Sequence, residues 1–307
     1  MVVFLALSLL LPACDNGGGG GTVAGVFAID LSTGDRTEVT AIEGTDPTPR
    51  SMAFDATGDR IFVVTSRRLI GVEAATGVQT VLADPMLGAG PDFTLLHAIA
   101  VDAAGGRAFV FDGLGVILAV DLLTGDRTLV SGGGTGTGPA FAAAPAAMVY
   151  DATGSRLIVA APALPAQGDA LVSVDPVTGN RTVLSSSAVG TGPAFAFGGA
   201  LALTADIANG RVFVAQDSTV IEVALSGGNR TLLHQGPPYR SAVADDATNL
   251  RVLQVRGGVL VAIDVDTGAV TTLSDSDTGT GPAPVEPRGL EIDASRNRAL
   301  VAAYVFE

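Results

Sequence analysis

Apolar residues alternate with small or polar ones along almost the whole chain, in short runs of four to six positions. A period of two residues is that of a strand with one buried face, and no stretch sustains the longer period of an amphipathic helix. Leu171–Phe195 shows the pattern most clearly, as a strand, a Thr-Gly turn, a second strand and a glycine-proline loop. The pattern therefore predicts an all-β chain.

Near-copies of the first part of this stretch recur six times. They are Val26–Thr37, Leu69–Thr80, Ile117–Thr128, Leu171–Thr182, Val220–Thr231 and Leu260–Thr271. One equivalent position, acidic in five copies and Ala224 in the other, recurs after 43, 48, 54, 49 and 40 residues. These spacings lie in or near the range that is typical of propeller blades.

A second hairpin motif lies between these copies and contains an arginine in every repeat. The motif begins at Phe54, Val101, Tyr150, Ala205, Asp245 and Ile292, and its arginines are Arg60, Arg107, Arg156, Arg211, Arg251 and Arg298. In the turns, Asp at a strand end can accept hydrogen bonds from backbone amides, and Gly supplies a positive φ. An arginine that recurs in every repeat indicates a structural ion pair between neighbouring blades, since no single ligand needs six copies.

Four strands per unit and six units predict a six-bladed β-propeller. The first motif at Val26–Thr37 has no preceding hairpin, and the last hairpin at Gly289–Val305 has no following motif. If strands are lettered A to D outward from the axis, C-terminal strands A and B should pair with N-terminal strands C and D. This pairing closes the ring and removes its open sheet edges. We expect the propeller to occupy residues 25–307.

Two segments carry a resemblance to known families. PRSMAFDATGDRIFVV and GLEIDASRNRALVAAY resemble the blades of NHL, YVTN and gluconolactonase-type propellers, and the likeness extends from about Gly25 to the end. It implies the fold, whereas propellers host many unrelated activities. Gluconolactonase-type propellers bind a divalent metal at the channel, but their early Gly-Glu-Gly-Pro run has no counterpart in EGTDPTPR here. We therefore expect no metal and no cofactor.

The N-terminal segment predicts export. Val2–Pro12 is an apolar run of eleven residues, too short to span a membrane but suited to a signal peptide. The run LLPAC ends at Cys14, the only cysteine, and resembles the lipobox of bacterial lipoproteins, whose cysteine carries a diacylglycerol. We expect a signal peptide at 1–13, a lipid-anchored glycine-rich linker at 14–24, and location in the bacterial cell envelope, periplasm-facing or surface-exposed. The alternative is an ordinary cleaved signal with a chance cysteine.

Composition excludes some functions. The net charge is −14, and all 17 basic residues are arginines. An acidic chain is a poor partner for a phosphate backbone, so we expect no nucleic acid, and the membrane is contacted only through the lipid. The absence of lysine removes Schiff-base and lysine-base chemistry.

The repeated loops offer little catalytic chemistry. Gly88–Phe93, Gly136–Phe141 and Gly190–Phe195 are glycine-rich, but phosphate binding would also need a helix N-terminus or a lysine. We expect these loops to be repeated turns whose phenylalanine packs between blades. They and the B–C loops should lie on one face of the ring, with both kinds of hairpin turn on the other.

Three other side chains are candidate acid–base groups. His97 and His234 occupy different places in their repeats, so they should not meet, and no nucleophile motif accompanies them. Glu291 is the one carboxylate within a predicted strand A, and we expect it to be solvated in the channel. No catalytic residue is predicted.

Arginines outside the repeat positions form the remaining signal. Arg50, Arg240 and Arg288 precede strand A at nearly equivalent places, with His97 at that place in the next blade and Arg256 in the same sector. Arginines that converge on a channel mouth can hold a carboxylate or phosphate. The alternative is that Glu43, Asp46, Asp275, Asp277 and Glu286 simply pair with them.

Two functions remain open. The first is a non-catalytic binding or scaffold module whose partner is an unknown protein or a small anionic ligand. The second is a lactonase- or lyase-like hydrolase with its site at the channel mouth, built from His97, Glu291 and the arginine sector. The regular blades and the lack of a catalytic motif favour the first.

Overall fold

The computed structural model describes residues 22–44, 46–141, 147–198, 201–237 and 241–306. The predicted signal peptide, Cys14 and most of the linker lie outside these residues, as does Arg240. Within the described ranges no helix is long and apolar enough to cross a membrane.

The described residues form 24 strands in six antiparallel sheets of four, which confirms the six-bladed β-propeller. Blade 1 contains β3 (Ser51–Asp55), β4 (Arg60–Val64), β5 (Leu69–Glu73) and β6 (Gln79–Ala83); blade 2 contains β7 (Leu96–Asp102), β8 (Arg107–Asp112), β9 (Val116–Asp121) and β10 (Arg127–Ser131); blade 3 contains β11 (Ala147–Asp151), β12 (Arg156–Leu164), β13 (Gly168–Val174) and β14 (Arg181–Ser185). Blade 4 contains β15 (Leu201–Asp206), β16 (Arg211–Gln216), β17 (Thr219–Ala224) and β18 (Arg230–Gln235); blade 5 contains β19 (Ser241–Asp246), β20 (Arg251–Arg256), β21 (Val259–Asp264) and β22 (Val270–Ser274); blade 6 contains β23 (Val285–Asp293), β24 (Arg298–Phe306), β1 (Thr22–Asp30) and β2 (Arg36–Ala41).

The ring closes in blade 6 as the repeat register predicts. Strand β1 pairs with β24 over nine residues, from Thr22 opposite Phe306 to Asp30 opposite Arg298. The sheet order is β2-β1-β24-β23, so the two ends of the chain supply two strands each. Closure gives the innermost strand of every blade an adjacent blade on both sides.

The core lies between the blades. Strands B and C are almost wholly buried, and their large side chains interleave with those of the next blade. Fully buried residues on strand B include Phe62, Phe109 and Phe213. Most hairpins turn through a Gly, while blades 5 and 6 use short 3-10 helices at Ala247–Asn249 and Ala294–Arg296. Alternation of apolar residues along each strand is therefore what builds the contacts between blades.

Five arginines of the second hairpin form an ion pair within their own blade, so the prediction of ion pairs between neighbouring blades is wrong for them. Arg298 also donates a hydrogen bond to the Ala74 carbonyl of blade 1 at 2.6 Å. Arg156 lies 2.8 Å from Asp151 and Arg251 lies 2.7 Å from Asp246, each across a single A–B hairpin. The other such pairs are Arg107–Asp102, Arg211–Asp206 and Arg298–Asp293. The two strand ends are directly opposite in the ladder, which brings Asp and Arg together locally.

The arginine of the first motif does reach the preceding blade, but it binds carbonyl groups. Arg230, which is 7% exposed, donates hydrogen bonds to the Pro193 carbonyl at 2.7 Å and to the Ser186 carbonyl at 2.7 Å. Its guanidinium also lies 5.2 Å from the ring centre of Phe195. We call this arrangement the arginine clasp. Its other arginines and their carbonyl partners are Arg36 with Gly281, Arg127 with Pro91, and Arg181 with Pro139.

The clasp corrects the predicted division of the loops into two faces. In blades 2, 3, 4 and 6 the turn of the first motif lies against the D–A loop of the preceding blade, as when Asn229 accepts a hydrogen bond from the Thr191 amide at 3.0 Å. Blades twist from the inner to the outer strand, so outer turns no longer share the face of inner ones. A Cβ added to Gly192 would lie 1.9 Å from the Arg230 carbonyl oxygen, so only Gly fits there. The glycine-proline loops thus pack against the next blade and accept its arginine's hydrogen bonds.

Candidate functional site

A central cavity of about 480 Å³ runs between the six innermost strands. Its wall contains apolar side chains from several blades, including Met52, Ile99, Met148 and Leu203. The volume falls in the range of small-molecule sites, which are mostly apolar with a few polar groups. The cavity is therefore the first place in which to look for a ligand.

One register position of strand A forms a ring at the cavity, and we call it the mouth. It is the position five residues before the Asp that ends each strand A, and the described residues in it are Arg50, His97, Leu201, Ser241 and Arg288. All five line the cavity. Arg288, Arg50 and His97 belong to blades 6, 1 and 2, so they are consecutive around the ring.

Arg50 is held in place by its neighbours in blade 1. Its amide donates to the Val64 carbonyl at 2.8 Å, and its Nε donates to Ser66 Oγ at 3.1 Å. The Ser66 amide in turn donates to the Asp46 carboxylate at 2.8 Å. Asp46 therefore holds the B–C loop and makes no ion pair with Arg50, so the guanidinium stays available to the cavity.

Arg288 is oriented by side chains of its own blade. Its Nη2 lies 3.1 Å from Glu286 Oε2, and its guanidinium lies 5.9 Å from the ring centre of Tyr304. Glu286 is more than half exposed, and an exposed pair of this kind is worth at most about 1 kcal/mol. The alternative that acidic residues pair with the arginines therefore holds in part, for Arg288 and Glu286.

His97 lies beside Arg50 and is neutral near pH 7. Burial lowers the pKa of the imidazole, and the nearby positive charge of Arg50 lowers it further, with Asp112 acting in the opposite direction. A neutral imidazole can both donate and accept a hydrogen bond. The mouth thus combines the permanent charges of Arg50 and Arg288 with the neutral imidazole of His97.

Glu291 lies deeper in the cavity and is the one acidic residue among the lining residues that the structure describes. Its carboxyl has no hydrogen-bond or ion-pair partner within the described part of the chain. Burial raises its pKa to about 8, because the protein around the cavity displaces water that would stabilise the charge. Glu291 thus lies in the channel, partly exposed to it, and its carboxyl is mostly protonated at pH 7.

The remaining predicted residues lie elsewhere. Arg256 does not line the cavity; it lies between blades 4 and 5, where a Cβ added to Gly236 would be 2.3 Å from its Nη1 and 3.0 Å from His234 Nε2. His234 is thus separate from His97. Among the described residues no group of three or more His, Cys, Asp or Glu side chains could hold a metal ion.

The sequence predicted Arg50, His97 and Arg288 of the mouth but missed its fourth polar residue, Ser241, and the apolar residues of the wall. Met52, Met148 and Leu203 read as ordinary core positions, because side chains of strand A pack between blades and also border the channel. Aligning the strands on their terminal Asp is the signal that could have found them. The same alignment sets Glu291 apart, since the equivalent residues include Ala53, Ala100 and Val149.

No known family model matches the sequence, and no curated protein matches it. Solved structures do match the fold. The structure of a putative TolB from Agrobacterium tumefaciens has a TM-score of 0.62 at 11% identity, covering 94% of this chain and 99% of that one. An auxiliary nutrient binding protein from Bacteroides thetaiotaomicron has a TM-score of 0.59 at 8% identity, covering 92% and 77%.

A chain of the nidogen/laminin complex has a TM-score of 0.58 at 14% identity, covering 84% of this chain and 95% of that one. At such identities the likeness concerns the fold alone. Fold and comparisons together define the class: the protein is a six-bladed β-propeller with a lined central channel.

Proposed function

We propose that this protein is a non-catalytic binding module that holds a small anionic ligand in its central channel. The observation that carries the proposal is the mouth, where Arg50 and Arg288 border one cavity from adjacent blades. Guanidinium groups bind carboxylate and phosphate strongly when little water competes. The fold likeness to a nutrient binding protein supports the same class of function.

The test measures anion binding by isothermal titration calorimetry with hexanoate, benzoate and inorganic phosphate. We expect Arg50→Gln and Arg288→Gln each to weaken binding by about tenfold or more, the loss of one charge-assisted contact. The matched control is Arg67→Gln, since Arg67 is exposed on a B–C loop and does not line the cavity. Thermal stability should change little in all three variants. Equal losses in the Arg67 variant, or no binding of any probe, would reject the proposal.

One observation favours a second function, lactonase- or lyase-like hydrolysis in the same cavity. Glu291 has a pKa of about 8, within the range in which a carboxyl serves as a general acid or base near neutral pH. A screen of lactones with purified protein tests this function. Turnover that is lost in both Glu291→Gln and His97→Ala would establish it and displace the binding module.

We also propose that Cys14 attaches the protein to the bacterial envelope through a lipid. The support is the lipobox-like run LLPAC after an apolar stretch. Expression with labelled palmitate should mark the wild-type protein and leave the Cys14→Ser variant unlabelled and soluble. Equal labelling of the two would exclude lipid attachment at this residue.

A further inference from the structure

Glu291 gives the cavity a second polar end. The residue lies on β23 three positions after Arg288, so the two Cα atoms are about 10 Å apart at the usual rise of a strand. Both side chains line the same cavity, and the apolar residues Met52 and Leu290 also line it. The cavity therefore carries cations at its mouth and a carboxyl group inside, with Met52 and Leu290 among the residues between them.

Glu291 is half-buried, and its carboxyl lines the cavity without a hydrogen bond or ion pair to any described residue. A half-buried polar group of this kind needs a partner from water or from a ligand. A ligand ammonium group would satisfy it, because an opposite charge in a poorly hydrated site favours ionisation of the acid.

We propose that the ligand is a linear zwitterion, with a carboxylate bound at Arg50 and Arg288 and an ammonium group bound at Glu291. An apolar linker of about five methylene groups would lie along the cavity wall between them. This inference rests on the proposed binding function and names its ligand class. It also implies selectivity, since the mouth arginines repel an amine that carries no anionic group.

The experiment compares 6-aminohexanoate with hexanoate, 6-hydroxyhexanoate and hexylamine by calorimetry at pH 7. We expect 6-aminohexanoate to bind at least about tenfold more tightly than hexanoate, and hexylamine not to bind. In Glu291→Gln the advantage of the amine should disappear while hexanoate binds as in the wild type. That retained binding also shows that the variant is folded.

Proton release gives an independent readout. A carboxyl with a pKa of about 8 is mostly protonated at pH 7, so pairing with an ammonium group releases close to one proton. The measured heat for 6-aminohexanoate should then depend on the ionisation enthalpy of the buffer, whereas the heat for hexanoate should not. The Glu291→Gln variant should lose this dependence.

The outcomes separate the two proposals. If hexanoate binds through Arg50 but 6-aminohexanoate binds no better than 6-hydroxyhexanoate, the zwitterion is wrong and the anion site stands. If Glu291→Gln keeps the preference for the amine, Glu291 is not its partner and the inference fails. If no carboxylate binds the wild type, the binding function and this inference both fail.

Discussion

At the scale of single residues, position in the repeat determines what an ionisable group does. Asp30 and Asp121 end strand C in their blades, and Asp175 directly follows it. Turn amides lower the pKa of each carboxyl by donating hydrogen bonds to it. Glu291 lies in the channel wall without such donors, and its pKa moves in the opposite direction. The repeat thus uses carboxylates as turn caps, and Glu291 departs from that use.

This departure predicts an unusual dependence of stability on pH. The pKa of Glu291 is about 8 in the folded protein against an ordinary value of 4.5, so the folded state binds this proton more tightly than the unfolded state. Its contribution is therefore most favourable below pH 4.5 and is lost as the pH rises towards 8. Glu291→Gln should be more stable than the wild type at pH 8 by about 1–3 kcal/mol, a range that allows for water in the channel.

Urea denaturation at pH 5, 6.5 and 8 measures this difference. The gap between variant and wild type should widen with rising pH. The exposed Glu38→Gln is the matched control and should follow the wild type at each pH. Parallel curves for wild type and Glu291→Gln would contradict the argument.

At the scale of strands and loops, two sets of repeated arginines have different energetic roles. Arg230 is buried and bonds several acceptors of the preceding blade, including the Ser185 hydroxyl at 2.7 Å. Arg107 has a side chain that is 35% exposed and pairs with Asp102 in its own hairpin. The first set joins blades and the second stabilises local turns.

Replacing one arginine from each set separates these roles. Arg230→Gln leaves several buried carbonyl groups without a donor and should cost about 3 kcal/mol of unfolding free energy. Arg107→Gln removes a partly exposed ion pair and should cost at most about 1 kcal/mol. Guanidinium denaturation of both variants beside the wild type provides the comparison. An equal cost for the two would mean that the arginine clasp adds nothing to the joint between blades.

The sequence predicted these elements better than their contacts. Alternation and turn residues are local, so strand order, blade number and closure could be predicted from the chain alone. The bonds of Arg230 to Pro193 and Ser186 join residues about 40 positions apart, and no local pattern marks such a pairing. The repeat register correctly predicted that Arg50, His97 and Arg288 meet at one mouth. It wrongly added Arg256, which lies beside His234 between blades 4 and 5.

At the scale of the whole molecule, stability depends on closure in blade 6. A chain that ends after Pro284 lacks β23 and β24, which leaves β1 as an unpaired sheet edge and opens the ring between blades 5 and 1. Its cooperative thermal transition should be lost, as followed by circular dichroism, and limited proteolysis should then reach all blades. An unchanged transition would show that the blades fold independently.

A circular permutant is the matched control for truncation. Thr22 and Phe306 are opposite each other in the ladder, so a short linker can join them. New ends between Gly257 and Gly258 occupy the equivalent B–C turn of blade 5. This permutant keeps every strand and should melt within a few degrees of the wild type.

The position of the first strand bears on which end of the channel would face the membrane. Strand β1 begins at Thr22 beside Phe306, at the end of the blades that also carries Arg50 and Arg288. Eight peptide steps separate Cys14 from Thr22 and span at most about 30 Å. If Cys14 carries the proposed lipid, the binding site would open towards the bilayer. Ligand would then be captured from the thin layer of solvent next to the lipid headgroups, with the opposite side of the ring turned to the bulk.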